Sequence, residues 1–103
     1  MKIILADVLA RIAYYEDKLD RCNDVHAQLQ KALEDFDSIQ QDVKELERYY
    51  SSTEWKNDFA CDENGLIPKE IKRGILSEDG IYSMLDENQF LQMRINPDGI
   101  END

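Results

Sequence analysis

The first fifty residues contain neither glycine nor proline, although the chain of 103 residues has four Gly and two Pro. Helix breakers are confined to the second half, so nothing in residues 1–50 forces the backbone to turn. Along that stretch apolar side chains recur at Leu5, Val8/Leu9, Ile12, Tyr15, Leu19, Cys22, Val25, Leu29, Leu33, Phe36, Ile39, Val43, Leu46 and Tyr49/Tyr50. The steps are mostly three and four, the period of an amphipathic helix with coiled-coil spacing. Charged and amide residues such as Glu16, Asp17, Lys18, Asp20, Arg21 and Gln28 fill the wet face between them. Unbroken, such a helix would run about 70 Å.

A stripe that long has to be covered, either by folding back as a helical hairpin or by pairing with a second chain as a homodimer through residues 5–50. Two segments weaken the helix. Cys22-Asn23-Asp24 are poor helix formers, and Asp35-Phe36-Asp37-Ser38 ends with Ser38 three residues before Gln41, a capping-box spacing. The second is the expected break, because the cap and a phase shift from Phe36 to Ile39 coincide.

After Tyr50 the texture changes to short helical pieces with explicit punctuation. Ser51 or Ser52 suits the cap of a turn holding Thr53 to Lys56, and Ser51 with Glu54 has the reciprocal capping-box spacing. Asp62-Glu63-Asn64-Gly65 reads as a turn in which Gly65 takes a positive φ. Pro68 predicts a short helix, Lys69 to Arg73, ended by Gly74. Ser77 with Glu78 and Asp79 predicts the cap and acidic first turn of a final helix to about Ile95, with Ile81, Leu85, Leu91 and Ile95 inward. No strand pattern competes. The expected fold is all-α: a long amphipathic N-terminal helix or helical hairpin, coiled-coil-like, with two or three shorter C-terminal helices. It forms one helical domain over 1–95, followed by a flexible tail over 96–103.

Twelve Lys+Arg stand against 23 Asp+Glu, a formal charge of −11. The acids are spread over both halves, 11 against 7 bases in residues 1–50 and 12 against 5 in 51–103. Partners whose phosphates need neutralising are therefore disfavoured, which excludes nucleic acid and anionic membrane as expectations. The apolar run Ile3 to Ala6 is interrupted by Asp7 and is too short for a signal core or a membrane span. A cytoplasmic location is expected. Cys22 and Cys61 stand far apart with no CxxC spacing, so two free thiols are expected rather than a disulfide framework or zinc site.

No residue pattern carries recognisable catalysis. The one histidine, His26, lies in the long helix with no local acid and nucleophile arranged around it. Asp62, Asn64 and Gly65 superficially suggest a calcium loop. With Gly65 in its sixth place, however, Ala60 and Ile71 occupy the first and last ligand positions. No metal, cofactor or enzymatic activity is expected. The pairs Tyr14-Tyr15 and Tyr49-Tyr50, with Trp55 close behind, concentrate aromatic surface of the kind that anchors protein interfaces, while core packing is the favoured alternative for Trp55, since a small core uses its largest apolar residue. Lys69, Lys72 and Arg73 are a basic cluster among acids, read either as a contact for an acidic segment or as internal pairs, with Arg73 suited to a carboxylate. The candidate partner contacts are Tyr49, Tyr50, Trp55, Lys69, Lys72 and Arg73.

The motifs Leu46-Glu47-x-Tyr49-Tyr50-x-Ser52, Trp55, Asp58-Phe59, Gly65-x-x-Pro68-Lys69 and Lys72-Arg73-Gly74-Ile75-Leu76-Ser77-Glu78-Asp79 together resemble a family of small bacterial proteins known as a domain of unknown function. The resemblance covers most of residues 10–93 and is specific in 46–85. In the family pattern Val mostly takes the Ile75 position and a better helix former the Gly80 position. The resemblance implies no activity, substrate or cofactor, only that the Tyr-Tyr to Ser-Glu-Asp block belongs to a shared design. The expected function is a protein–protein interaction or regulatory helical module. The alternatives are an acidic nucleic-acid mimic that occupies a DNA-binding protein, and an enzyme with an unrecognised site. Lys18, Arg21, Lys31, Lys44 and Arg48 interrupt the continuous acidic stripe that mimicry needs.

Overall fold

The computed structural model describes residues 4–98, and they are helical with no strand among them. The chain divides into two compact units, Met1–Ile39 and Gln40–Asp103. Part of the 96–103 segment expected as a tail, residues 99–103, lies outside the described residues.

The first unit is built on one helix, α1 (Leu5–Ser38, 34 residues), about 50 Å long at the standard rise. Local terms favour it: alanines at 6, 10, 13, 27 and 32, long unbranched side chains, and contacts one turn apart. The Lys31 ammonium meets Asp35 at 3.0 Å, and the Lys18 ammonium lies 4.5 Å from the centre of the Tyr14 ring. Both are surface contacts of small worth. The ends are poorly finished: Ile4 offers no side-chain cap, and no base stands in the last turn to oppose the negative end of the helix dipole.

The break falls beside the expected segment. α1 stops at Ser38, Ile39 forms the junction with its N–H bonded back to the Asp35 and Asp37 carbonyls, and α2 (Gln40–Tyr50) follows. The reciprocal cap expected from Ser38 is not its observed role. Its hydroxyl instead donates to the Asp35 carbonyl at 2.7 Å, closing α1 rather than opening α2, the back-bonding habit of a helical serine.

The second unit packs α2 against α3 (Thr53–Glu63) and α4 (Glu78–Ile95), and a 3-10 turn (Gly74–Leu76) against α3 and α4. Its core is Val43, Trp55, Leu76 and Ile81. Leu46 and Tyr50 lie three and seven residues after Val43 and are half-buried on the same face. Ser52, not Ser51, caps α3: the Trp55 N–H donates to the Ser52 hydroxyl at 3.1 Å, while Ser51 donates to the Glu47 carbonyl. The C-terminus of α3 needs Gly65. The Leu66 N–H reaches the Cys61 carbonyl and the Gly65 N–H the Asp62 carbonyl, with Gly65 at φ +73°, a left-handed turn that glycine adopts without strain.

Two expectations are corrected here. Lys69 to Arg73 form no helix; the Ile71 N–H closes a single turn on the Pro68 carbonyl, and Gly74 opens the 3-10 turn instead of ending a helix. This path lets Arg73 donate to the Pro68 carbonyl and presents the Ile75 carbonyl to Trp55. In α4, Ile81 is buried and Leu85 and Leu91 are half-buried as expected, but Ile95, in the last turn, is exposed. The Ser77 cap is as expected, its hydroxyl accepting from the Gly80 N–H at 3.2 Å.

Gly80 occupies the first turn of α4 with a negative φ. A Cβ there would meet the Ser77 hydroxyl at 3.4 Å and the Gly74 carbonyl at 3.5 Å, ordinary contact distances. Gly80→Ala is therefore expected to stabilise the fold by about 0.5–1 kcal/mol, chiefly by restricting the unfolded chain. Urea denaturation followed by Trp55 emission checks this; a lowered midpoint would contradict it.

Candidate functional site

Two surfaces compete for a functional role, and they differ in how much of their apolar area is already used. In the second unit the aromatic block is largely interior. Trp55 is 5% exposed, stacks on Phe59 with ring centres 5.1 Å apart, and meets Tyr50 edge-on at 5.0 Å. Its indole N–H donates to the Ile75 carbonyl at 2.9 Å, so the polar edge of the ring is satisfied within the fold. Tyr50 and Tyr49 are half-buried.

The Tyr49 hydroxyl donates to the Asp58 carboxylate at 2.5 Å. That hydrogen bond, then desolvation and the negative charges of Asp58 and Glu54, push its pKa from 10.0 up to about 12, because ionising the phenol would destroy the bond and set two negative groups together. The folded-state value lies above the unfolded one. The bond's contribution is thus complete below about pH 10 and is lost as pH rises through about 12. Ultraviolet titration of phenolate is expected to show a late component near pH 12, which Tyr49→Phe removes. An unchanged titration in that variant would contradict the assignment.

Among the basic residues, Lys69 and Lys72 are exposed, whereas Arg73 is half-buried. The Arg73 Nε lies 2.9 Å from an Asp62 carboxylate oxygen and its Nη1 donates to the Pro68 carbonyl at 3.2 Å. One guanidinium thus ties the loop at Pro68 to the end of α3. Lys72 borders a shallow groove lined by Leu46, Gly74, Ile75, Gly80, Ile81 and Met84.

An amide cluster has no counterpart in the sequence pattern. Gln40 exchanges two hydrogen bonds with Asn88, at 3.1 and 3.0 Å, and its side-chain oxygen also accepts from Gln92 at 2.8 Å. Partners 48 and 52 positions apart leave no local signature. They clip the start of α2 onto α4.

The first unit presents the opposite situation. None of the 34 residues of α1 is buried. Leu5, Leu9, Ile12, Tyr15, Leu19, Val25 and Leu29 are each more than half exposed, a continuous apolar surface of the kind monomeric proteins avoid. Counted strictly by three and four from Leu5, the seam runs Val8, Ile12, Tyr15, Leu19, Cys22, His26, Leu29 and Leu33. It passes through His26 rather than its neighbour Val25. His26 is exposed, and the shallow depression beside it is lined by Asp17, Lys18, Arg21, Cys22 and Val25 of the same helix. The two cysteines are free thiols, Cys22 exposed and Cys61 half-buried. Among the described residues no three His, Cys, Asp or Glu side chains gather as a metal set, and no helix is long and apolar enough to cross a membrane.

Comparison with known proteins covers both units. No curated protein and no solved structure matches the chain. A family model matches residues 12–95, which takes in most of α1 as well as the aromatic and Arg-Gly block. The chain belongs to the family described as Domain of unknown function (DUF4298).

Proposed function

We propose that this protein is a helical protein–protein interaction module of the bacterial cytoplasm, and that its contact surface is the apolar stripe of α1. One observation carries the reading: a 34-residue helix with an apolar side chain at every third or fourth position buries none of them. Covering such a seam is the main source of stability for long helices, whose local terms alone are weak. The charge supports the same class. With 23 acids against 12 bases, a polyanionic partner is repelled, whereas a helix-in-groove or helix-on-helix contact is not.

The test is retention of partners on immobilised full-length protein, wild type beside Leu19→Glu, with Trp55 emission confirming that the second unit stays folded. Specific retention by the wild type that the variant loses supports the reading. Equal retention by both, or none by either, removes it.

A further inference from the structure

We infer that the α1 stripe is covered by a second copy of this chain, its α1 running antiparallel; this rests on the interaction reading above and names the partner. The argument begins with register. In an antiparallel pair each a position faces a d position of the other helix. Setting Leu19 against Cys22 of the other copy aligns the rest without a gap: Tyr15 meets His26, and Ile12 meets Leu29. The same register continues to Val8 and Leu33, so the seam spans about 37 Å of each helix at the standard rise. A two-fold axis passing between positions 20 and 21 makes the contact closed and self-complementary, as a dimer of identical chains requires.

Charge sets the direction. Residues 29–38 carry Lys31 against Glu34, Asp35 and Asp37, net −2, whereas residues 5–14 carry Asp7 against Arg11, net zero. A parallel pair would lay the two acidic ends side by side. It would also set the two His26 rings against each other, and the two Tyr15 rings likewise. Its compensation would be Arg11 beside Glu16 of the other copy, an exposed pair that salt screens. The antiparallel pair instead brings a neutral segment to each acidic end. It also sets the positive N-terminus of one helix beside the acidic last turn of the other, a turn that has no base of its own. Each charged residue flanking the seam then faces a neutral one across the interface: Lys18 lies by Val25, Glu16 by Asn23 and Arg11 by Ala32. No like charges are forced together.

The experiment uses full-length protein with Cys22→Ala and Cys61→Ala, leaving introduced thiols as the only ones. Under mild oxidation the Ile12→Cys/Leu29→Cys chain is expected to form a covalent dimer nearly quantitatively. Ile12→Cys alone is expected to form almost none, since its thiols would lie about 25 Å apart along the axis. If that pair disturbs the helix, Val8→Cys/Leu33→Cys tests the same register. Cross-linking of Ile12→Cys alone overturns the antiparallel assignment. A monomeric wild type by sedimentation equilibrium at 100-fold dilution steps up to about millimolar overturns the second-copy proposal itself. The broader interaction reading fails separately, through the retention experiment with Leu19→Glu.

Discussion

Trp55→Ala should destabilise the second unit by about 3–5 kcal/mol, the range for deleting a large buried aromatic. The side chain touches both Tyr50 and Phe59, is 5% exposed, and its indole N–H holds the Ile75 carbonyl at 2.9 Å. Removing it leaves a void in a core with four buried residues among those described and frees the 3-10 turn that leads into α4. A unit of this size has roughly 3–10 kcal/mol of total stability at about 0.05–0.15 kcal/mol per residue, so the loss takes a large share of it. Hydrogen-exchange protection in α2, α3 and α4 is expected to collapse. Trp55→Phe keeps the ring contact and loses chiefly the hydrogen bond, at about 1–2 kcal/mol. A shift under about 1 kcal/mol for Trp55→Ala would mean that the ring contributes little to packing.

The elements visible in the sequence are those set by neighbours in the chain. α1 follows from its period and the absence of breakers, α4 from Ser77, and the turn at Gly65 from a position that needs a left-handed residue. The failures have the complementary cause. Lys69 to Arg73 has a helical start signal in Pro68, but Arg73 is drawn to Asp62 and Pro68, and the chain must place the Ile75 carbonyl over the Trp55 indole. The demands of Asp62 and Trp55 come from α3, ten or more residues away, and outweigh a single turn of propensity. Ser38 had the spacing of a cap, but a serine hydroxyl on a finished helix finds the carbonyl behind it as readily as the N–H ahead.

The candidate site divides along the same line. That Tyr50 and Trp55 belong together is readable from their spacing, and a small core favours its largest apolar residue, which is where Trp55 lies; that its indole N–H meets the Ile75 carbonyl, 20 residues on, has no local signature. The Gln40, Asn88 and Gln92 cluster was invisible for want of any local pattern. The α1 stripe is the reverse case. Its periodicity is plain in the sequence, and the structure adds that none of it is buried.

Leu19→Glu is expected to raise the dimer dissociation constant at least about a thousandfold. Leu19 is 53% exposed in the single chain and lies one layer from the two-fold axis, so the substitution removes two core side chains from each dimer. Large-to-small changes at such positions cost about 2–5 kcal/mol each, and 1.4 kcal/mol is a factor of ten. Four or more kcal/mol is therefore the floor before the carboxylate's desolvation is added. Asp20→Ala, one position along on the wet face, is the control and should shift the constant less than tenfold. Helicity should fall with association in the Leu19→Glu chain, because a lone α1 has only local propensity and a few surface pairs to hold it. Trp55 emission should stay unchanged, since the emission reports a core to which Leu19 does not belong. Sedimentation equilibrium together with far-ultraviolet dichroism across a dilution series reads both quantities. Equal dissociation constants for Leu19→Glu and Asp20→Ala would show that the stripe is not the seam of the dimer, since only a residue inside the contact can separate a buried carboxylate from a lost surface one.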